Sequence, residues 1–539
     1  MGETVVLQCR YSKHYLCYIL SNILTLGVFL DPRAQPATSS SMAHDGGVRR
    51  PTFSTGTRLF VIIVAASNIA AFWAYWAQAD GLVGPTGILP AGDFLSGALQ
   101  QIGRKAWFEV PSLCWIFGTG TAIKAICAAG IALSAAVILG YAQAIGLFLI
   151  WVCYLSLVSV GQDFFNFQWD ALLLESTLVA IFVVPWTLGK GRADYDPPPL
   201  ARYLVWWLLF RLMFLSGIVK LTSGDPAWRH LTALDFHYET QPLPTAIAWY
   251  ASKLPQWFQV ASCALMFAVE LGAPFCVLAP RRIRHWAAVA MIGLQIAIAA
   301  TGNYAFFNLL SIGLCLACLD DGWWSKIHWG VADAPTEGAG RIGRLQKNAL
   351  RWFAALSLGL TFFESAVSVA AGMLPGIGSS PVVEEIFDDV APLRSFNTYG
   401  LFAVMTVERP ELVFEGSDDG QTWKEYTLPF KPGDPARRPR WAAPYQPRLD
   451  WQLWFAAFLK QQYDPFVRTV CEKLLLGDKP VLALFSSNPF PEHPPSMVRV
   501  VRYRYQFTSA AERARTHCWW DRSPLDFYVP PVKLTGAAP

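Results

Sequence analysis

The sequence predicts a polytopic α-helical membrane domain of about nine spans, followed by a mixed α/β, strand-rich, water-facing C-terminal domain. Three observations lead there. Of 539 residues, 53% are hydrophobic and only 15% charged, where a soluble domain carries about 25% charged residues. The charges nearly vanish from long stretches before residue 375 and return after it. Finally, Lys and Arg flank alternate ends of the apolar runs very unequally. The resulting division is an N-terminal extension (1–50), a multi-pass domain (51–374) and a non-cytosolic domain (375–539). A net charge of +4 over this length gives no support for a nucleic-acid partner. The lipid bilayer is the first partner implied.

Crossing about 30 Å of hydrocarbon takes around twenty apolar residues. Such runs lie at 58–78, 119–138, 141–160, 169–187, 202–220, 257–279, 285–301, 304–320 and 351–374. The very short links within 119–160 and 285–320 predict two antiparallel hairpins. The apolar stretch Tyr15 to Leu30 is shorter. It reads as a tenth helix, a signal-like segment, or translated sequence ahead of a start at Met42, and the Pro/Ser/Gly-rich linker 32–48 favours a dispensable extension.

With nine spans, one set of loops carries Arg49, Arg50, Arg58, Lys190, Arg192, Arg202, Arg281, Arg282, Arg284, Lys326, Arg341, Arg344, Lys347 and Arg351. The alternate loops carry only Arg104, Lys105, Arg229 and Lys253. This asymmetry of 14 to 4 predicts a cytosolic N-terminus and a lumenal or periplasmic C-terminal domain.

Three segments then share the C-terminal domain's side. Residues 79–118 contain the turn-rich Gly81-Leu82-Val83-Gly84, 161–168 form a short link, and 221–256 include Asp225, Trp228 and His237. These read either as an interfacial aromatic belt or as a functional surface. Within the C-terminal domain, Gly400–Glu408, Glu411–Glu415, Thr422–Leu428 and Val498–Phe507 alternate like strands. Ser417-Asp418-Asp419-Gly420 supplies a hairpin turn, and 450–475 has helical spacing with Trp451, Trp454, Phe455 and Phe458 on one side.

The eleven cysteines lie mostly in apolar segments, where a thiol acts as a small hydrophobe. Cys315 and Cys318 form a C-x-x-C with no second pair or nearby histidine to complete a metal site, and Cys471 and Cys518 could pair in an oxidising compartment. No N-glycosylation sequon occurs. No cofactor is called for.

Ionisable groups inside a span cost several kcal/mol unless paired or facing water. Lys124, Asp170, Glu175, Arg211, Lys220, Glu270 and Glu364 are such groups. Asp170, Glu175, Arg211, Lys220 and Glu270 form the candidate intramembrane polar cluster, with Lys220 or Arg211 pairing to Asp170, Glu175 or Glu270. Structural ion pairs and a polar functional site are the two readings.

Several strings resemble the signature of the lipase maturation factor family. They are Gly161-Gln162-Asp163-Phe164, Phe167-Gln168-Trp169-Asp170, Leu172-Leu173-Leu174-Glu175, and Phe210-Arg211-Leu212-Met213 running into Lys220. Further along come Gly224-Asp225-Pro226-Ala227-Trp228, His237-Tyr238-Glu239-Thr240, Asn397-Thr398-Tyr399-Gly400, Phe430-Lys431-Pro432-Gly433-Asp434-Pro435, and Arg448-Leu449-Asp450-Trp451-Gln452-Leu453-Trp454. The resemblance covers about residues 58–525. It implies a membrane chaperone that helps dimeric lipases such as lipoprotein lipase, or other secreted clients, reach an active fold. The site is then the endoplasmic reticulum membrane in a eukaryote, or the inner membrane in a bacterium. Its C-terminal domain would contact the client, with Tyr445, Arg448, Asp450, Trp451 and Trp454 as candidate contacts, aromatic and Arg side chains being favoured anchors. The alternative for Trp451 and Trp454 is core packing.

A fainter resemblance competes. Leu215-Ser216-Gly217-Ile218-Val219-Lys220 is similar to the helix that carries the catalytic lysine of vitamin K-dependent γ-carboxylases. That would make Lys220 a base and a quinone-like lipid its cofactor. No Gly-x-Ser-x-Gly elbow suggests that the protein is itself a lipase.

Overall fold

A computed structural model describes residues 51–191, 194–327, 343–373, 388–459 and 465–534. The expected N-terminal extension with its Tyr15–Leu30 segment, and the 374/375 boundary, lie outside these residues. The multi-pass part is built from α1 (Ser54–Val83), α2 (Ala91–Ile102), α3 (Thr121–Ile138), α4 (Gln143–Val160), α5 (Gln168–Val183) and α6 (Pro199–Thr222). It continues through α7 (Ala233–Thr240), α8 (Gln256–Cys276), α9 (Arg281–Thr301), α10 (Phe307–Leu316) and α11 (Arg344–Met373).

Each expected span is therefore a helix, but seven of them are long and apolar enough to cross a membrane unaided. The exceptions are α5, with 16 residues, and α10, with 10. At about 1.5 Å per residue these reach roughly 24 and 15 Å, short of the hydrocarbon thickness. Their positions explain the shortfall. Pro185 follows α5 closely, and thirteen of that helix's residues are buried. The longer helices cover both short ones, so their termini are sheltered from lipid, where an unsatisfied backbone group is costly.

The helices shuttle between two ends. At one end the Phe53 N–H donates to Asp196 (2.8 Å), the Thr55 N–H to Asp321 (2.9 Å), and Arg281 to Asp320 (2.6 Å). At the other, the bundle meets the C-terminal domain. The central helix α1 has 30 residues and spans about 45 Å. It therefore outruns the hydrocarbon, and its last turns enter that second end. Gly81-Leu82-Val83, expected as part of a turn, forms the final turn of this helix. Gly81 is required there by close approach, since a Cβ would stand 2.4 Å from the Pro480 carbonyl oxygen. Gly130 on α3 similarly lets the Phe72 ring of α1 lie against the backbone.

The C-terminal domain holds β1 (Pro410–Ser417), β2 (Lys424–Tyr426), α12 (Arg448–Ala456), α13 (Pro465–Leu475), β3 (Met497–Phe507) and β4 (Trp520–Val532). The strands form one antiparallel sheet in the order β2-β1-β3-β4. The β1–β2 hairpin turns at Gly420, whose φ of 76° suits glycine, and Asp419 accepts the Gln421 and Thr422 N–H groups (2.8 and 2.7 Å). Gly400–Glu408 is not a strand. Its backbone bonds the helix bundle instead: the Gly400 N–H donates to Gln168 Oε1 (3.1 Å), and the Met405 N–H to Asp225. Alternation in this segment reflects a chain laid across helices.

Candidate functional site

The polar residues singled out from the sequence converge on the seam between bundle and C-terminal domain, though not as one cluster. Asp170 sits in the first turn of α5, fully buried. Its partner is Arg448 of α12, which donates through both Nη atoms to its two oxygens (3.0 Å each). Arg448 also donates to the Phe164 carbonyl (2.6 Å) and stacks 3.6 Å above the Phe165 ring. Tyr154 of α4 donates to the same carboxylate. A bidentate guanidinium–carboxylate pair with added hydrogen bonds to the Phe164 carbonyl and from the Tyr154 hydroxyl is the geometry in which a buried ion pair is sustainable, although Arg448 Nε is left without a partner among the described residues.

One helical turn further along α5, Glu175 accepts from Arg211 of α6 and from the Tyr399 hydroxyl (2.6 Å). Arg211 in turn donates to the Asn397 carbonyl (2.7 Å). The third pair joins Lys220 of α6 to Glu270 of α8 (2.7 Å), with a further bond to the Ser216 carbonyl (3.0 Å). Lys220 is thus enclosed by an ion pair and its own helix, with Trp228 5.6 Å away. His237, nearby on α7, is pushed down to about 4 by burial and by the Lys220 charge, and its Nε2 faces the Tyr304 hydroxyl at 3.2 Å.

Four of the five expected client contacts are interior. Arg448 is 0% exposed, Asp450 and Trp451 3%, and Trp454 6%. Trp451 packs edge-on against Trp169 (4.5 Å), and Trp454 Nε1 donates to the Thr240 carbonyl (3.0 Å). Asp450 accepts the Phe430 and Lys431 N–H groups (2.8 Å each), and burial pushes its carboxyl up to about 6. A contact surface for a partner needs accessible atoms; Arg448, Trp451 and Trp454 instead reach residues of the bundle, and Asp450 fastens the 430–431 backbone within its own domain. Tyr445 is half-buried beside Phe430. The nine described cysteines are free, Cys471 and Cys518 among them.

Sequence reasoning missed three members of the seam. Gln78 of α1 donates to the Gln446 carbonyl (2.8 Å) and accepts the Arg448 N–H (2.9 Å). Asn303 donates to the Arg440 carbonyl (3.0 Å) and accepts from Ala442 and Ala443. Arg409 donates to the carbonyls of Glu239 (2.6 Å), Gln241 and Pro242 (2.7 Å), and pairs with Glu411, which also meets Lys431. The available signal was a lone amide at the end of an apolar helix, and charges at alternate positions entering a strand.

This arrangement defines a class: a multi-pass membrane protein whose strand-rich C-terminal domain is latched to the helix bundle by buried ion pairs and amide clamps. The family follows from comparison. Residues 55–326 match the lipase maturation factor transmembrane domain, and 395–530 the lipase maturation factor C-terminal domain. Lipase maturation factor 2 of Mus musculus is 34% identical over 88% of this chain and 83% of its own length. Lipase maturation factor 1 of Mus musculus is 32% identical over 93% and 92%, and that of Bos taurus 31% over 93% and 93%. The chain belongs to the lipase maturation factor family. No solved structure matches it.

Proposed function

We propose that this protein is a membrane-embedded maturation factor for exported lipases or other secreted clients, acting as a folding and assembly chaperone without chemistry of its own. The observation that carries the reading is family membership across both domains. The latch gives it a physical form: a domain locked at several points to a membrane bundle is a pre-organised platform, which lowers the ordering cost of holding a client. The positive-inside bias supports a lumenal or periplasmic position for that domain. The endoplasmic reticulum membrane is the matching site in a eukaryote and the inner membrane in a bacterium. In this reading Arg448, Asp450, Trp451 and Trp454 act by fixing the platform, and Tyr445 with the neighbouring Trp441, which is 53% exposed, belongs to the accessible client-facing edge.

The test is lipase activity per mass of secreted lipase in cells lacking the protein. Complementation uses wild type, Lys220→Ala, Trp441→Ala/Tyr445→Ala, or a chain ending at residue 375. Failure of the truncation, with Lys220→Ala largely active, supports the reading. Loss with Lys220→Ala as complete as with the truncation, at normal expression, would point to a lysine-dependent membrane enzyme. Unchanged lipase activity in the null cells would remove the lipase role.

A further inference from the structure

The bundle end remote from the C-terminal domain contains a crevice of about 90 Å³, walled by α1, α3, α4, α5, residues of the 184–191 stretch and Tyr195. Its inner wall is apolar, formed by side chains such as Val61, Ile62, Ile138 and Val183. Its rim carries Arg58 and Lys190, both exposed, beside the hydroxyl of Thr57. No ion pair among the described residues holds either cation. The described acids at this end have other partners: Asp196 the Phe53 N–H and Arg202, Asp321 the Ser54 and Thr55 N–H groups, Asp320 Arg281, Arg284 and His285, and Asp194 an interaction of its own beside the Ser54 hydroxyl that its carbonyl accepts.

Lys190 is also held in place. The Ala142 N–H donates to the Gly189 carbonyl (3.2 Å) and the Gly191 N–H to the Gly140 carbonyl (2.8 Å), which pins the 189–191 backbone to the α3–α4 turn. Just outside, Leu139, Ile145 and Phe148 are about half exposed or more, as lipid-facing side chains are. A membrane-level slot with two uncommitted cations and an apolar flank selects an anion that carries hydrocarbon. The volume is far below the roughly 300–1,000 Å³ of a site that engulfs a drug-sized molecule, which fits a headgroup entering while its chains stay in the bilayer.

We propose that this crevice binds the phosphodiester headgroup of an anionic phospholipid. Arg58 and Lys190 take the phosphate oxygens, and the acyl chains run along the outer faces of α3 and α4. Basic pockets between transmembrane helices recognise anionic headgroups in this way.

The experiment uses the full chain in neutral detergent. Phosphatidylglycerol, phosphatidylcholine and inorganic phosphate are titrated, reading retained adducts by native mass spectrometry and the shift in melting temperature. Arg58→Gln/Lys190→Gln is compared with Arg104→Gln/Lys105→Gln, which removes the same charge from the other end; Lys190→Gln alone carries the comparison where the double variant fails to fold. The expected result is preferential retention of phosphatidylglycerol by wild type and by the 104/105 variant, weakened about tenfold or more in the 58/190 variant. Equal binding of phosphatidylcholine, or undiminished binding by the 58/190 variant, would overturn the site. Inorganic phosphate that binds as tightly and displaces the lipid would overturn the lipid assignment in favour of a free anion.

Discussion

Arg448 shows how much a single side chain does at this seam. It spans from α12 to α5, and its carboxylate partner Asp170 has no water to fall back on. Removing one member of a buried pair leaves an uncompensated charge and costs about 3–5 kcal/mol. Arg448→Ala is therefore expected to lower the melting temperature in detergent sharply, while Arg448→Met/Asp170→Asn recovers a good part of the loss. An Arg448→Ala protein as stable as wild type would show that the pair does not hold the domain. Asp450 provides a pH test at the same scale. Burial raises its carboxyl from the usual 3.8 to about 6. The stabilisation due to its proton is then fully present below about 3.8 and lost as pH rises through about 6. Asp450→Asn keeps an oxygen for the Phe430 and Lys431 N–H groups but no longer titrates. Its stability should fall less than that of wild type between pH 4 and 7, as read by thermal unfolding across that range.

At the scale of elements, the docking of α1 against the 480–484 segment depends on a missing side chain. A Cβ at Gly81 meets the Pro480 carbonyl as well as the Leu484 side chain, and because the nearest atom is backbone the segment itself must shift. Gly81→Ala should cost about 1–3 kcal/mol, as overpacking does, and should speed limited proteolysis of the C-terminal domain. Unchanged cleavage would mean that this contact is slack. The elements themselves were largely legible: nine apolar runs became nine helices, and the hairpin around Gly420 and the strand over Val498–Phe507 lie where alternation put them. Element lengths were less so. The ends of α5 and α10 depend on how far neighbouring helices shelter them, which local hydropathy does not record. Gly400–Glu408 misled because alternation says which residues are apolar, not which partner takes the backbone hydrogen bonds.

For the whole molecule, the seam predicts that bundle and C-terminal domain unfold together. A chain ending at residue 375 loses the partners of Asp170 and Gln78, together with Tyr399 beside Glu175, and so strands buried polar groups. It should melt well below the full protein in the same detergent, and a full chain showing two separated transitions would contradict a rigid latch. A C-terminal tag should be inaccessible to cytosolic labelling; labelling it there would reverse the proposed orientation.

The sequence by itself determined the membrane character, the helix positions, the strand-rich C-terminal domain and, through its motifs, the family, because hydropathy, charge bias and contiguous strings are local properties. It also marked Asp170, Glu175, Arg211, Lys220 and Glu270 as charges that needed partners. Only the tertiary structure decided which partners they took. Asp170 found its cation 278 residues away, in the set expected to face a client. Pairing between such distant residues depends on how helix ends and domain meet in space, and the fold buried four expected contact residues, three of them against the helices.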